Sequence, residues 1–140
     1  MDQSDQIVIE LLSILRRRPG MYLGDEEVRT LSTFLHGYLA GRLDAGDQIA
    51  SSEALMEAFR LWLSTNGGEA PNLGWATIIE ERFVAEHDDP LMRTPHRGSR
   101  TDGSARLFFA LFGEFLASRG SAYLEAPEVG RRRDVGNCWR

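Results

Sequence analysis

The 140-residue sequence predicts an all-α fold, a compact bundle or array of about five helices. Three observations carry that reading. Apolar residues return every three or four positions in five separate windows, no pair of segments alternates as paired strands would, and glycine, proline or capping residues punctuate the windows. The length suits one domain able to bury a real core, and an apolar share of 42% with 26% charged residues is ordinary for a globular chain. Residues 1–124 are expected to be the helical domain, and 125–140 a basic, flexible tail.

The first helix is expected over about 5–17, with Ile7, Leu11, Ile14 and Leu15 on one face. Arg16, Arg17 and Arg18 close it, where positive charge is favourable beside the last carbonyls. The second spans about 27–44, with Leu31, Phe34, Leu35, Tyr38, Leu39 and Leu43 at helical spacing and Asp25 placed to cap its start. The third opens at a Ser51-Ser52-Glu53 cap, carries Leu55, Phe59, Trp62 and Leu63, and stops at Asn66-Gly67-Gly68. The fourth opens at Pro71-Asn72 and runs to about His87, with Trp75, Ile78, Ile79 and Phe83 in register. The fifth begins at Thr101-Asp102 and stops at Gly120. Phe108, Leu111, Phe112, Phe115 and Leu116 give it the heaviest aromatic load and a central place in the packing. Between the last two helices, 88–103 is polar and aperiodic and reads as a long loop.

Composition narrows the function classes. The apolar runs are too short to span a bilayer, the acidic N-terminus lacks the order of a secretion signal, and the lone Cys138 cannot form an internal disulfide. A reducing, cytoplasmic location is the expectation. Every basic residue is arginine. Residues 1–130 hold 12 arginines against 20 carboxylates, a net of −8, whereas 131–140 carry +3. An acidic body repels phosphate backbones, so nucleic acid is an unfavourable partner and a basic protein a favourable one.

The segment Arg16–Asp25, RRRPGMYLGD, is the most distinctive. Arg18 ends the first helix and Pro19-Gly20 suits a type II turn, with positive φ at Gly20. Met21, Tyr22 and Leu23 then read as a short extended segment that pins two helices by burying Met21 and Leu23, and Gly24-Asp25 makes a second turn. The segment resembles RPGMYIG near the start of the ATPase domain of DNA gyrase B and related topoisomerases. That family follows it with a helix holding a catalytic glutamate and, four residues later, a magnesium-binding asparagine. Here the helix reads RTLSTFLHGYLAGRLD, without the pair, and the later nucleotide motifs are missing as well. The resemblance is local and brings no ATPase chemistry.

A wider resemblance covers most of 12–116: RPGMYLG, then FLHGYLAGR, FRLWL, GWATII and FFALFGEFL. This order is similar to small bacterial helical proteins of mostly uncharacterised function, which resemble the immunity components encoded beside polymorphic toxins. What the resemblance implies is a non-enzymatic protein that neutralises a cognate toxin by binding it.

Among chemistry-bearing residues, Arg29 and His36 match the loose Arg-x4–6-His spacing of helical HEPN ribonucleases, and seven steps bring both to one helix face. A ribonuclease using them is the alternative reading. Glu80, Glu81, Glu86, Asp88 and Asp89 are the densest carboxylate group, a candidate docking face for a basic toxin domain. His87 and His96 lie close to it in sequence but lack metal-ligand spacing, so no metal and no cofactor is implied. The tail RRRDVGNCWR admits a third reading, a carrier whose C-terminal peptide is modified or processed; Cys138 has no histidine beside it and is not assigned as a nucleophile.

Overall fold

A computed structural model describes residues 3–46, 50–67, 74–87 and 101–125. Among them are six helices and no strand: α1 (Gln3–Leu15), α2 (Pro19–Leu23), α3 (Val28–Asp44), α4 (Ala50–Gly67), α5 (Trp75–His87) and α6 (Ser104–Ser118). The all-α expectation holds, and the extra helix is α2. No described helix is long and apolar enough to cross a membrane.

Helix α6 organises the interior. Phe108, Phe112, Phe115 and Leu116 are fully or almost fully buried. Phe59 of α4 sits among them, its ring centroid 5.4 Å from Phe108, 5.1 Å from Phe112 and 5.4 Å from Phe115. Trp75, the first residue of α5, lies 5.0 Å from Phe108. Two of Phe59's contacts, with Phe108 and Phe112, are edge-to-face, the geometry favoured by the ring quadrupole. Leu31, Leu35 and Leu39 of α3, Ile78 and Ile79 of α5, and Val8, Ile9, Leu12 and Leu15 of α1 belong to the same core.

The starts of α3 and α6 cap each other. A helix leaves its first N–H groups without intrahelical partners, and here each helix receives them from the other's approach segment. The Val28 N–H donates to the Ser104 hydroxyl at 2.8 Å and the Glu26 N–H to Asp102 Oδ1 at 3.2 Å. In return, the N–H groups of Gly103 and Ala105 both donate to the Glu26 carbonyl at 2.9 Å. Asp25, expected as the cap of this helix, accepts instead from the Glu27 N–H and the Thr30 hydroxyl. Gly103 (φ 99°) makes the turn; a Cβ there would stand 3.2 Å from the Phe83 ring. Arg106 adds a fork onto the Glu26 carboxylate, with Nη2 2.8 Å from Oε2.

A strap, 121–125, lies across α1 and α6. The Tyr123 hydroxyl donates to the Phe109 carbonyl at 2.7 Å, and the Leu124 N–H donates to the Ser13 hydroxyl at 2.9 Å. Buried Ser13 donates in turn to the Ile9 carbonyl. The Arg16 guanidinium stands 4.4 Å over the Tyr123 ring. Burial pushes the Tyr123 phenol above its ordinary pKa, against the nearby Arg16 charge.

Several faces differ from the sequence reading. In α1 the buried face is Val8, Ile9, Leu12 and Leu15, and Ile14 is 47% exposed. In α3, Phe34 and Leu43 point outward rather than inward. Helix α4 begins at Ala50, so Ser52 is not a cap but a fully buried side chain within it. These residues border apolar stripes in sequence, and the choice of face is made by the helices across from them. Residues 88–100 of the expected loop and 126–140 of the expected tail lie outside the described residues.

Candidate functional site

The RPGMYLG segment is not a turn followed by an extended pin. Pro19 takes the first position of α2, where its missing N–H costs nothing and its fixed φ suits a helix. Positive φ falls at Gly24 (84°), the left-handed residue that ends the helix, and not at Gly20. The Gly24 N–H donates to the Gly20 carbonyl at 2.9 Å. The clamp is made by buried Pro19 and half-buried Leu23, whereas Met21 is 66% exposed and Tyr22 45%.

A groove of about 590 Å³ opens between α3, α4 and the start of α5. Periodicity builds it: Arg29, Ser32, His36, Ala40 and Leu43 recur at three- and four-residue steps and so share one face of α3. Glu53, Met56, Glu57 and Arg60 do the same on α4, and residues 74–77 close one end. Its floor is apolar, with Leu35, Leu39, Met56 and Trp75 continuous with the core. Leu43 stands more than half exposed at the border.

Both arginines of the groove are held by carboxylates. Arg29 forks onto Glu80 of α5, with Nη2 2.8 Å from Oε1 and Nε 3.2 Å from Oε2. These hydrogen bonds raise the Arg29 pKa above its ordinary value, so the guanidinium keeps its charge. Arg60 forks onto Glu57 one turn before it, with Nε 2.9 Å from Oε2, and each shifts the other toward its charged form through that hydrogen bond. His36 is exposed, with Nδ1 3.5 Å from the Ser32 hydroxyl. An anion entering this groove therefore meets guanidinium groups already engaged by carboxylates.

The structure thus brings Arg29 and His36 to one groove, as their spacing allows, and ties Arg29 to one of the acidic candidates. Glu80 is consumed in that pair, while Glu81 and Glu86 are exposed on α5. Asp88 and Asp89 lie outside the described residues, as do His96 and Cys138. His87 stacks on Phe83 with centroids 4.1 Å apart. No group of three or more histidine, cysteine or acidic side chains that could hold a metal occurs among the described residues. Sequence reasoning missed Glu53, Glu57 and Arg60, although their 53, 57, 60 spacing marks a polar face beside the apolar stripe of α4.

No family model, curated protein or solved structure matches this chain.

Proposed function

We propose that the chain is a protein-binding domain that uses the α3–α4–α5 groove, and more specifically an immunity protein that neutralises a cognate bacterial toxin. The observation that supports this is the anatomy of the groove: an apolar floor of Leu35, Leu39, Met56 and Trp75 bordered by charged Arg29, Glu53, Glu57 and Arg60. An apolar centre with a polar rim is how docking surfaces combine affinity with selectivity. With Glu57 and Glu80 engaged by arginines, it is exposed Glu53 at the rim and exposed Glu81 and Glu86 along α5 that favour a basic partner and speed its encounter. The order of motifs similar to toxin-immunity components supplies the narrower reading.

The test is co-expression of the chain with the toxin encoded beside its gene. Protection of the cells and a complex that co-purifies are expected, and both are lost in Leu43→Asp, an exposed position whose replacement leaves the core intact. Neither protection nor complex formation would sink the immunity reading.

A second reading is favoured by one observation, that Arg29 and His36 line the same groove. In a ribonuclease of the HEPN type, His36 assists proton transfer at the RNA 2′-hydroxyl and Arg29 polarises the phosphate, exchanging Glu80 for the substrate. RNA cleavage by the purified chain that disappears in both Arg29→Ala and His36→Ala is its expected signature. Cleavage that survives both changes removes it.

A further inference from the structure

The corner from Ile14 to Tyr22 is built unlike the rest of the surface. Arg16, Arg17 and Arg18 are all exposed, and so are Ile14, Met21 and Tyr22. Backbone hydrogen bonds wind these residues together: the Arg17 N–H donates to the Ile14 carbonyl, and the Met21 and Tyr22 N–H groups donate to the Arg18 carbonyl at 3.0 and 3.3 Å. The corner is anchored rather than loose. Pro19 is buried, Gly24 locks the end of α2, and Arg16 is held over the Tyr123 ring of the strap. The side chains of Arg17 and Arg18 make no hydrogen bond or ion pair among the described residues. Three adjacent guanidinium groups and three large apolar side chains are thus presented on a preorganised frame.

We infer that this corner is a second docking surface, distinct from the groove, and that its occupant is a short acidic protein segment carrying an apolar side chain. Charge complementarity selects the class. Arg16, Arg17 and Arg18 concentrate three positive charges in consecutive positions on a body whose residues 1–130 sum to −8. An extended anion such as a lipid surface or an RNA strand meets the whole body and is repelled by it, whereas a short segment meets chiefly the arginines, because the Glu26 carboxylate beside Gly20 is already engaged by Arg106. Tyrosine, methionine and arginine are also among the side chains enriched where proteins meet. The apolar side chain of the segment packs on Met21 and Tyr22, and its carboxylates fork onto Arg17 and Arg18. The surface takes an acidic ligand, opposite in sign to the basic partner proposed for the groove, so the two proposals stand or fall separately.

The test is selection of a random dodecamer peptide library on the immobilised full chain, repeated on Arg17→Glu/Arg18→Glu and on Met21→Ser. All three positions are exposed, and circular dichroism confirms that the variants fold. The expected result is enrichment of peptides rich in aspartate and glutamate with one apolar residue, whose retention falls about tenfold on each variant. A Leu43→Asp variant, altered in the groove, retains them. Enriched peptides that are basic, or that bind the corner variants as well as the parent, overturn the inference, and so does failure to enrich any acidic peptide. Sedimentation with phosphatidylglycerol vesicles and gel shift with a single-stranded RNA form the other arms. Corner-dependent binding to either one in place of the peptides also overturns it.

Discussion

Helix α6 is held in two ways that share almost nothing. Along its length, Phe108, Phe112 and Phe115 close around Phe59 of α4 in a seam of rings. At its first turn, Ser104, Gly103 and Ala105 exchange hydrogen bonds with residues 26–28, and Arg106 reaches over to Glu26. The ring seam draws its strength from area removed from water, a force that is large and non-directional. The clamp is directional: its net energy is small, and its donors and acceptors fit in one register. One region supplies stability, and the other specifies which residue of α6 faces which residue of α3.

Breaking the seam has the largest expected effect. Phe59→Ala removes a fully buried ring packed against five others and costs about 3–5 kcal/mol, read as a fall in the urea midpoint or as failure to fold. Breaking the clamp costs less. Gly103→Ala forces a side chain into left-handed backbone and against the Phe83 ring, for about 1–3 kcal/mol. Ser104→Ala orphans the Val28 N–H at a fully buried site, for about 1–2 kcal/mol, and threonine in its place restores part of the loss. In hydrogen exchange, the Val28 amide loses protection in this variant before the amides of mid-α6 do. Equal loss at both would show that the clamp is not a separate unit.

The smallest effect is also the most selective. The Arg106 hydrogen bond holds the Glu26 carboxyl below its ordinary range, against a smaller opposing effect of desolvation. A carboxylate with a depressed folded-state pKa stabilises the fold above its unfolded value and ceases to do so as pH falls through the folded one. The clamp therefore weakens on acidification while the ring seam does not. Because the pair is largely solvated, Arg106→Ala costs about 0.5 kcal/mol or less at neutral pH. A stability difference between parent and Arg106→Ala that shrinks from neutral to acidic pH and in high salt is the expected result. One that grows would contradict the assignment.

The ring seam was legible in the sequence and the clamp was not. Phe108, Phe112 and Phe115 at helical spacing announce a buried face of α6 whatever lies opposite. The Ser104 hydroxyl reaching Val28 spans 76 residues, and nothing in either local pattern reports it. The same division runs through the candidate sites. The seven-residue spacing of Arg29 and His36 was enough to place both on one face of α3, but the Glu80 carboxylate that engages Arg29 comes from 51 residues away. Helix α2 was hidden for another reason. Pro-Gly suits a turn, yet proline suits equally the first position of a helix, and the five residues of α2 are too few to show a period. That misreading turned Met21 inward, and with it the surface on which the second docking proposal rests.

The contact of Ser13 with Leu124 joins residues 111 positions apart, nearly the length of the folded domain. During synthesis at roughly 5–20 residues per second, the first helix waits on the order of 6–20 s before its serine can meet the strap. Until then the Tyr123 ring on which Arg16 rests and the hydroxyl that reaches the Phe109 carbonyl do not exist in the chain. Closure of the strap over α1 therefore comes after every described helix has been synthesised. The nascent chain leaves this face of α1 uncovered for far longer than a helix needs to form.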